Sequence, residues 1–133
     1  ALPTIAPSST RLSSPQSPNP LQRMIRHSVL FTIRHPRHSP QENDFLSACL
    51  DLLKIPGVTA FEVFRQTSPK NPFSLGLTMF FDDRETYEAY LNDPIHSEFV
   101  ASRWLPEVLD FLEIDSEAIS LPAPHTQSAL SHS

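Results

Sequence analysis

One imidazole stands where the pattern calls for an aliphatic side chain. Across residues 24–33, Ile25, His27, Val29, Phe31 and Ile33 alternate with Arg26, Ser28, Leu30 and Thr32, and a period of two puts the first set on one face of a strand. His27 therefore points inward. An imidazole among aliphatic neighbours costs free energy unless it is hydrogen-bonded, so it needs a partner inside the fold or a cavity to line. Imidazoles also titrate near neutrality, which suits them to taking or giving a proton. Other reactive types are less organised. His35 and His38 lie three apart in a polar turn, two potential metal ligands with no Cys or carboxylate cluster beside them to complete a site. Cys49 falls on the apolar side of a helical pattern and reads as a core filler rather than a nucleophile. The only glycines are Gly57 and Gly76, so there is no Gly-rich phosphate loop to bind a nucleotide by that route, and no cofactor is expected.

The elements that must hold His27 follow from capping and periodicity. Ser39 as cap, Pro40 at the first helical position and Glu42 as the return arm of a capping box start a helix over 40–54. Its apolar stripe includes Phe45, Leu46, Cys49, Leu50 and Leu53, and Pro56-Gly57 ends it. Residues 58–66 alternate as a second strand, 67–72 form a proline-containing loop, and 73–81 form a third strand whose apolar density implies burial on both faces. Helices can cover only one face of so small a sheet, which predicts that a second copy of the chain covers the other. A capping box at 82–85 opens a short helix in which Tyr87, Tyr90 and Leu91 share a face. Asp93-Pro94 restarts the helix, with His96, Phe99, Val100 and Arg103 recurring at helical spacing. Residues 108–115 form the last strand. The order is βαββαβ, the α+β ferredoxin-like arrangement.

Composition bounds the rest. The first 23 residues hold five Pro, five Ser, two Arg and no acidic residue, and without apolar periodicity nothing offsets the entropy of ordering them. They read as a disordered leader, as an organelle-targeting segment, or as an upstream extension ahead of a natural start at Met24. Residues 119–133 read as a disordered tail, leaving 24–118 as the folded domain. That domain carries eight Lys/Arg and fifteen Asp/Glu, a balance that argues against nucleic acid or an anionic membrane surface as partner. No apolar run approaches the roughly 20 residues that cross a bilayer. A single cysteine forms no internal disulfide and fits a reducing, cytoplasmic compartment.

With His27 in the first strand, Ile55-Pro-Gly-Val58 before the second, and Tyr90-Leu-Asn-Asp-Pro-Ile-His96 leading into the last helix, the chain resembles the stress-responsive A/B barrel (Dabb) family over nearly all of 24–118. The resemblance implies a ferredoxin-like fold that pairs sheet to sheet into a dimeric α+β barrel, with a cavity in each subunit between sheet and helices. Val29, Phe31, Cys49 and Phe99 would line it. Some plant members are polyketide cyclases in which a first-strand His, the His of the Pro-x-His segment and the Tyr six residues before it serve an intramolecular aldol reaction. These map onto His27, His96 and Tyr90. The Tyr that those cyclases carry on the first helix is replaced here by Cys49. Two functions follow as expectations: a dimer that holds a small apolar molecule oriented by His27 and His96, or a cofactor-independent cyclase, isomerase or lyase on a carbonyl substrate. In the second, one histidine removes a proton and Tyr90 steadies the resulting oxyanion. Against both stands the reading of His27 and His96 as core polar groups that satisfy each other or the backbone.

Overall fold

A computed structural model describes residues 20–122. The expected leader lies outside the described residues except for Pro20–Arg23, which form one helical turn. The expected tail is described only as far as residue 122. Among the described residues no helix is long and apolar enough to cross a membrane.

The chain runs β1 (Ile25–Ile33), α1 (Pro40–Cys49) with a 3₁₀ continuation (Leu50–Lys54), β2 (Thr59–Arg65), β3 (Leu75–Phe81), α2 (Arg84–Leu91), α3 (Pro94–Phe99) and β4 (Val108–Glu117). The four strands form one antiparallel sheet in the order β2-β3-β1-β4, which makes the fold ferredoxin-like. The pleat does what the alternation required. Ile25, His27, Val29, Phe31 and Ile33 are buried while the residues between them are not, and the four apolar ones pack with Phe45, Cys49, Leu77, Met79, Phe81, Tyr87 and Tyr90 into a single core.

α1, α2 and α3 each start on a side-chain cap. Ser39 Oγ accepts the Glu42 amide at 3.1 Å, and Pro40 occupies the first turn. Glu42 does not return to its cap residue. The Ser39 amide already donates to the Pro36 carbonyl, so Glu42 accepts the His38 amide at 2.9 Å and takes Arg65 of β2 in a two-pronged ion pair at 2.9 and 3.1 Å. At α2 the cap is Asp83, one residue later than the box at 82–85 predicts, and its carboxylate accepts both the amide and the hydroxyl of Thr86. Asp93 caps α3 as expected. Beyond α3 the backbone widens into a π-helical turn, Val100–Trp104, in which the Leu105 amide reaches the Val100 carbonyl. Such a turn rotates the side chains after it relative to a regular α-helix. Val100, Trp104 and Leu105 all reach the same cavity wall.

The far face of the sheet carries Leu30, Phe64, Phe80, Leu112 and Ile114. Gly76 is needed on that face for close approach: a Cβ there would sit 2.3 Å from the Phe64 ring. Leu112 and Ile114 are each about half exposed in the single chain. β3 is buried mainly on its helix face, and Thr78 and Phe80 on the other are only half-buried.

Candidate functional site: a cavity under the first strand

β1 and β4 pair so that Asp115 stands directly opposite His27 and Glu113 opposite Val29. Directly opposed residues on one face of a sheet are in side-chain reach. His27 Nδ1 lies 2.7 Å from Asp115 Oδ1, and Tyr87 Oη lies 2.7 Å from Asp115 Oδ2 and 3.1 Å from the same Nδ1. A carboxylate only accepts, so the network assigns Nδ1–H and the Tyr87 hydroxyl as the donors. Glu113 Oε2 is 3.3 Å from the Tyr87 hydroxyl and 3.5 Å from Nδ1. Burial first, and the two carboxylates second, push the Tyr87 phenol far up, so it stays a hydroxyl. His27 is 5 % exposed. With Nδ1 anchored, its second ring nitrogen, Nε2, makes no hydrogen bond among the described residues.

That ring forms part of the wall of a cavity of about 280 Å³ between the sheet and α2–α3. Its sides are apolar: Val29, Leu52, Leu77, Phe99, Val100 and Trp104. Its polar groups are His27, Tyr90, His96 and Glu113, and the exposed Leu91, Leu105 and Phe111 mark its mouth. Tyr90 meets both imidazoles, with ring centroids 6.0 Å from His27 and 4.7 Å from His96. It is 2 % exposed. Its hydroxyl has no hydrogen-bond partner among the described residues, and burial holds the phenol well above its ordinary pKa. His96 is held below the usual histidine value by burial and then by its neighbour His27, against the opposing pull of a backbone hydrogen bond at Leu91. A neutral imidazole at ordinary pH is the result.

The three residues singled out from the sequence thus meet at one cavity. Val29 and Phe99 are on its wall. Phe31 and Cys49 are not: both are fully buried behind it, Phe31 against Phe45 and Trp104. Burial pushes the Cys49 thiol up to about 12, which leaves it unreactive. His35 and His38 do not converge. His35 Nε2 binds Glu107 at 2.7 Å and His38 faces Arg37. The charged groups around His35, namely Asp44, Arg103 and Glu107, are bound among themselves, so the wider, more open hollow of about 460 Å³ that they line presents no free chemistry. Sequence reasoning missed Tyr87 and Asp115. Tyr87 shares a helix face with Tyr90, and Asp115 has the parity of Phe111 and Glu113, which were the available signals. The donor atoms of His27, Glu113 and Asp115 all lie within 4.8 Å of one another, a spacing that the short Nδ1–Oδ1 bond already explains.

The model of a family described as the stress responsive A/B barrel domain matches residues 25–118. The chain belongs to that family. A Dabb family protein with a ferredoxin-like fold from Mesorhizobium loti is 46 % identical, covering 73 % of this chain and 98 % of that one, with a TM-score of 0.72. The A/B barrel domain also resembles hydroxynitrile lyase from Passiflora edulis, at 15 % identity, 76 % and 99 % coverage and a TM-score of 0.66. A dimeric ferredoxin-like protein of unknown function from Thermobifida fusca follows at 19 %, 71 % and 91 %, and 0.59. These last two likenesses establish the fold alone. No curated protein matches the chain.

Proposed function

We propose that the domain is a homodimer that holds one small, mostly apolar molecule bearing a carbonyl or hydroxyl group in each cavity. One observation carries this reading: two buried polar groups, His27 Nε2 and the Tyr90 hydroxyl, border the same apolar cavity with no protein partner among the described residues. Buried polar groups are almost always satisfied, and a ligand hydroxyl between them would satisfy both, donating to Nε2 and accepting from Tyr90, while a carbonyl oxygen would accept from Tyr90 alone. The sole tryptophan, Trp104, is on the wall, so its emission reports occupancy. Added 2-heptanol should change that emission saturably, and His27→Ala should weaken the effect by about tenfold, the equivalent of one lost hydrogen bond. His27→Ala should cost only about 1 kcal/mol of stability, because the Tyr87–Asp115 bond survives. A large fall in melting temperature with unchanged binding would make His27 a core anchor instead.

The His27–Asp115 pair favours a second reading, cofactor-independent cyclase, isomerase or lyase chemistry on a carbonyl substrate. Asp115 fixes the tautomer that leaves Nε2 free to accept a proton. Nε2 would take a proton from the carbon beside the carbonyl, and the electron pair left behind would move to the oxygen facing the Tyr90 hydroxyl. Exchange of the α-protons of 2-heptanone in D₂O, followed by NMR, tests this step; His27→Ala should slow it at least about a hundredfold.

Dimerisation is supported by the half-exposed Leu112 and Ile114 on the open sheet face and by the dimeric Thermobifida fusca neighbour. Sedimentation should give twice the chain mass, and a monomer at micromolar concentration would remove the proposal. A cytoplasmic residence is supported by the buried, unpaired Cys49; targeting by residues 1–23 is the alternative.

A further inference from the structure

The cavity is asymmetric in charge. Its wall includes the Glu113 carboxylate, with Asp115 just behind His27, and no lysine or arginine. Nearby guanidinium groups are committed elsewhere: Arg103 to Glu107 and Asp44, Arg65 to Glu42. Glu113 is at the polar end, since its Oε2 is 3.5 Å from His27 Nδ1, whereas Leu91, Leu105 and Phe111 surround the mouth. A ligand that directs its oxygen to Tyr90, beside His27, therefore brings that oxygen into the field of two carboxylates.

We propose that Glu113, seated beside His27 in a cavity without a lysine or arginine, makes the site selective for uncharged ketones and alcohols and excludes the carboxylate of the same chain. The proposal rests on the cavity being the ligand site and adds a class of ligand to it. A neutral oxygen accepts from the Tyr90 hydroxyl at no electrostatic cost. An anionic head beside Nε2 has the Glu113 carboxylate across the His27 ring, 3.5 Å from its other nitrogen, and the imidazole between them already serves Asp115. Repulsion at that range, reduced by the half exposure of Glu113, amounts to about tenfold or more in affinity. A carboxylate turned toward the mouth escapes the repulsion but forfeits the hydrogen bond from Tyr90.

The test is a matched series, 2-heptanone, 2-heptanol and sodium heptanoate, titrated against the full chain with Trp104 emission as readout. Ketone and alcohol should bind about tenfold or more tighter than heptanoate. In Glu113→Gln the heptanoate deficit should shrink to within about threefold while the ketone changes little. Raising the salt concentration on the unaltered protein should narrow the same gap, and this measurement decides the matter even where the variant fails to fold. Equal binding of ketone and carboxylate overturns the charge filter and leaves the cavity reading standing, as does a gap indifferent to both salt and Glu113→Gln. Silence from all three probes overturns both.

Discussion

Glu42→Ala should lower the unfolding free energy by about 3 kcal/mol in a urea titration, one of the two largest single effects expected in this fold. Glu42 is 4 % exposed and accepts two bonds from Arg65 and one from the His38 amide. Removing it strands a guanidinium and an amide, and breaking a buried pair from one side typically costs 3–5 kcal/mol. The lower end applies because the Arg65 side chain is a quarter exposed. Arg65→Met should be similarly damaging, and the double variant should recover part of the loss because neither charge is then left alone. The pH dependence has a definite sign. The hydrogen bond from Arg65 holds the Glu42 carboxyl below its usual range, so its contribution is complete above the unfolded value near 4.5 and is lost as pH falls through the folded value. Glu42→Ala should therefore flatten the acid side of the stability profile. An unchanged acid limb would show that the pair is not formed in solution.

Phe31→Ala should cost about 4 kcal/mol, within the range of buried aromatic truncations. Phe31 has no exposed surface and packs 4.9 Å from Trp104 and 5.9 Å from Phe45, ring centre to ring centre. In a domain whose whole stability is on the order of 5–15 kcal/mol, this is a large share. The variant also separates core from cavity. Because Phe31 supports Trp104 from behind, its loss should shift the Trp104 emission of the ligand-free protein to the red as water enters. A variant of full stability would place Phe31 on an open wall, where the sequence alone had put it.

Much of the architecture could be read from the chain. Strand alternation put His27 on the inner face, Ser39-Pro40 and Asp93-Pro94 marked two helix starts, and the order of elements led to the ferredoxin-like fold. Local signals were less reliable where two neighbouring residues could serve equally. Asp83 rather than Asp82 caps α2 because its carboxylate bonds both the amide and the hydroxyl of Thr86, and Glu42 bypasses its own cap because Arg65 and His38 offer better partners. The bulge in β2, where pairing shifts between Thr59 and Glu62 and Ala60 takes a positive φ, leaves no mark in a pattern of alternating residues.

The site divides along the same line. The sequence by itself determined that an imidazole sits in the core, that Tyr90 and His96 lie near each other on consecutive helices, and that no basic or Gly-rich motif competes with them. Only the tertiary structure decided that His27 and His96 do not satisfy one another, that Asp115 and Tyr87 anchor one nitrogen of His27, and that a cavity is left beside the other. It also moved Phe31 and Cys49 from wall to core. The physical reason is register: alternation fixes which face a strand residue takes, but sliding β4 by two residues along β1 preserves every face and would set Glu113 or Glu117 opposite His27 instead. The partner of a buried polar group depends on that choice, which is made by the packing of the whole sheet.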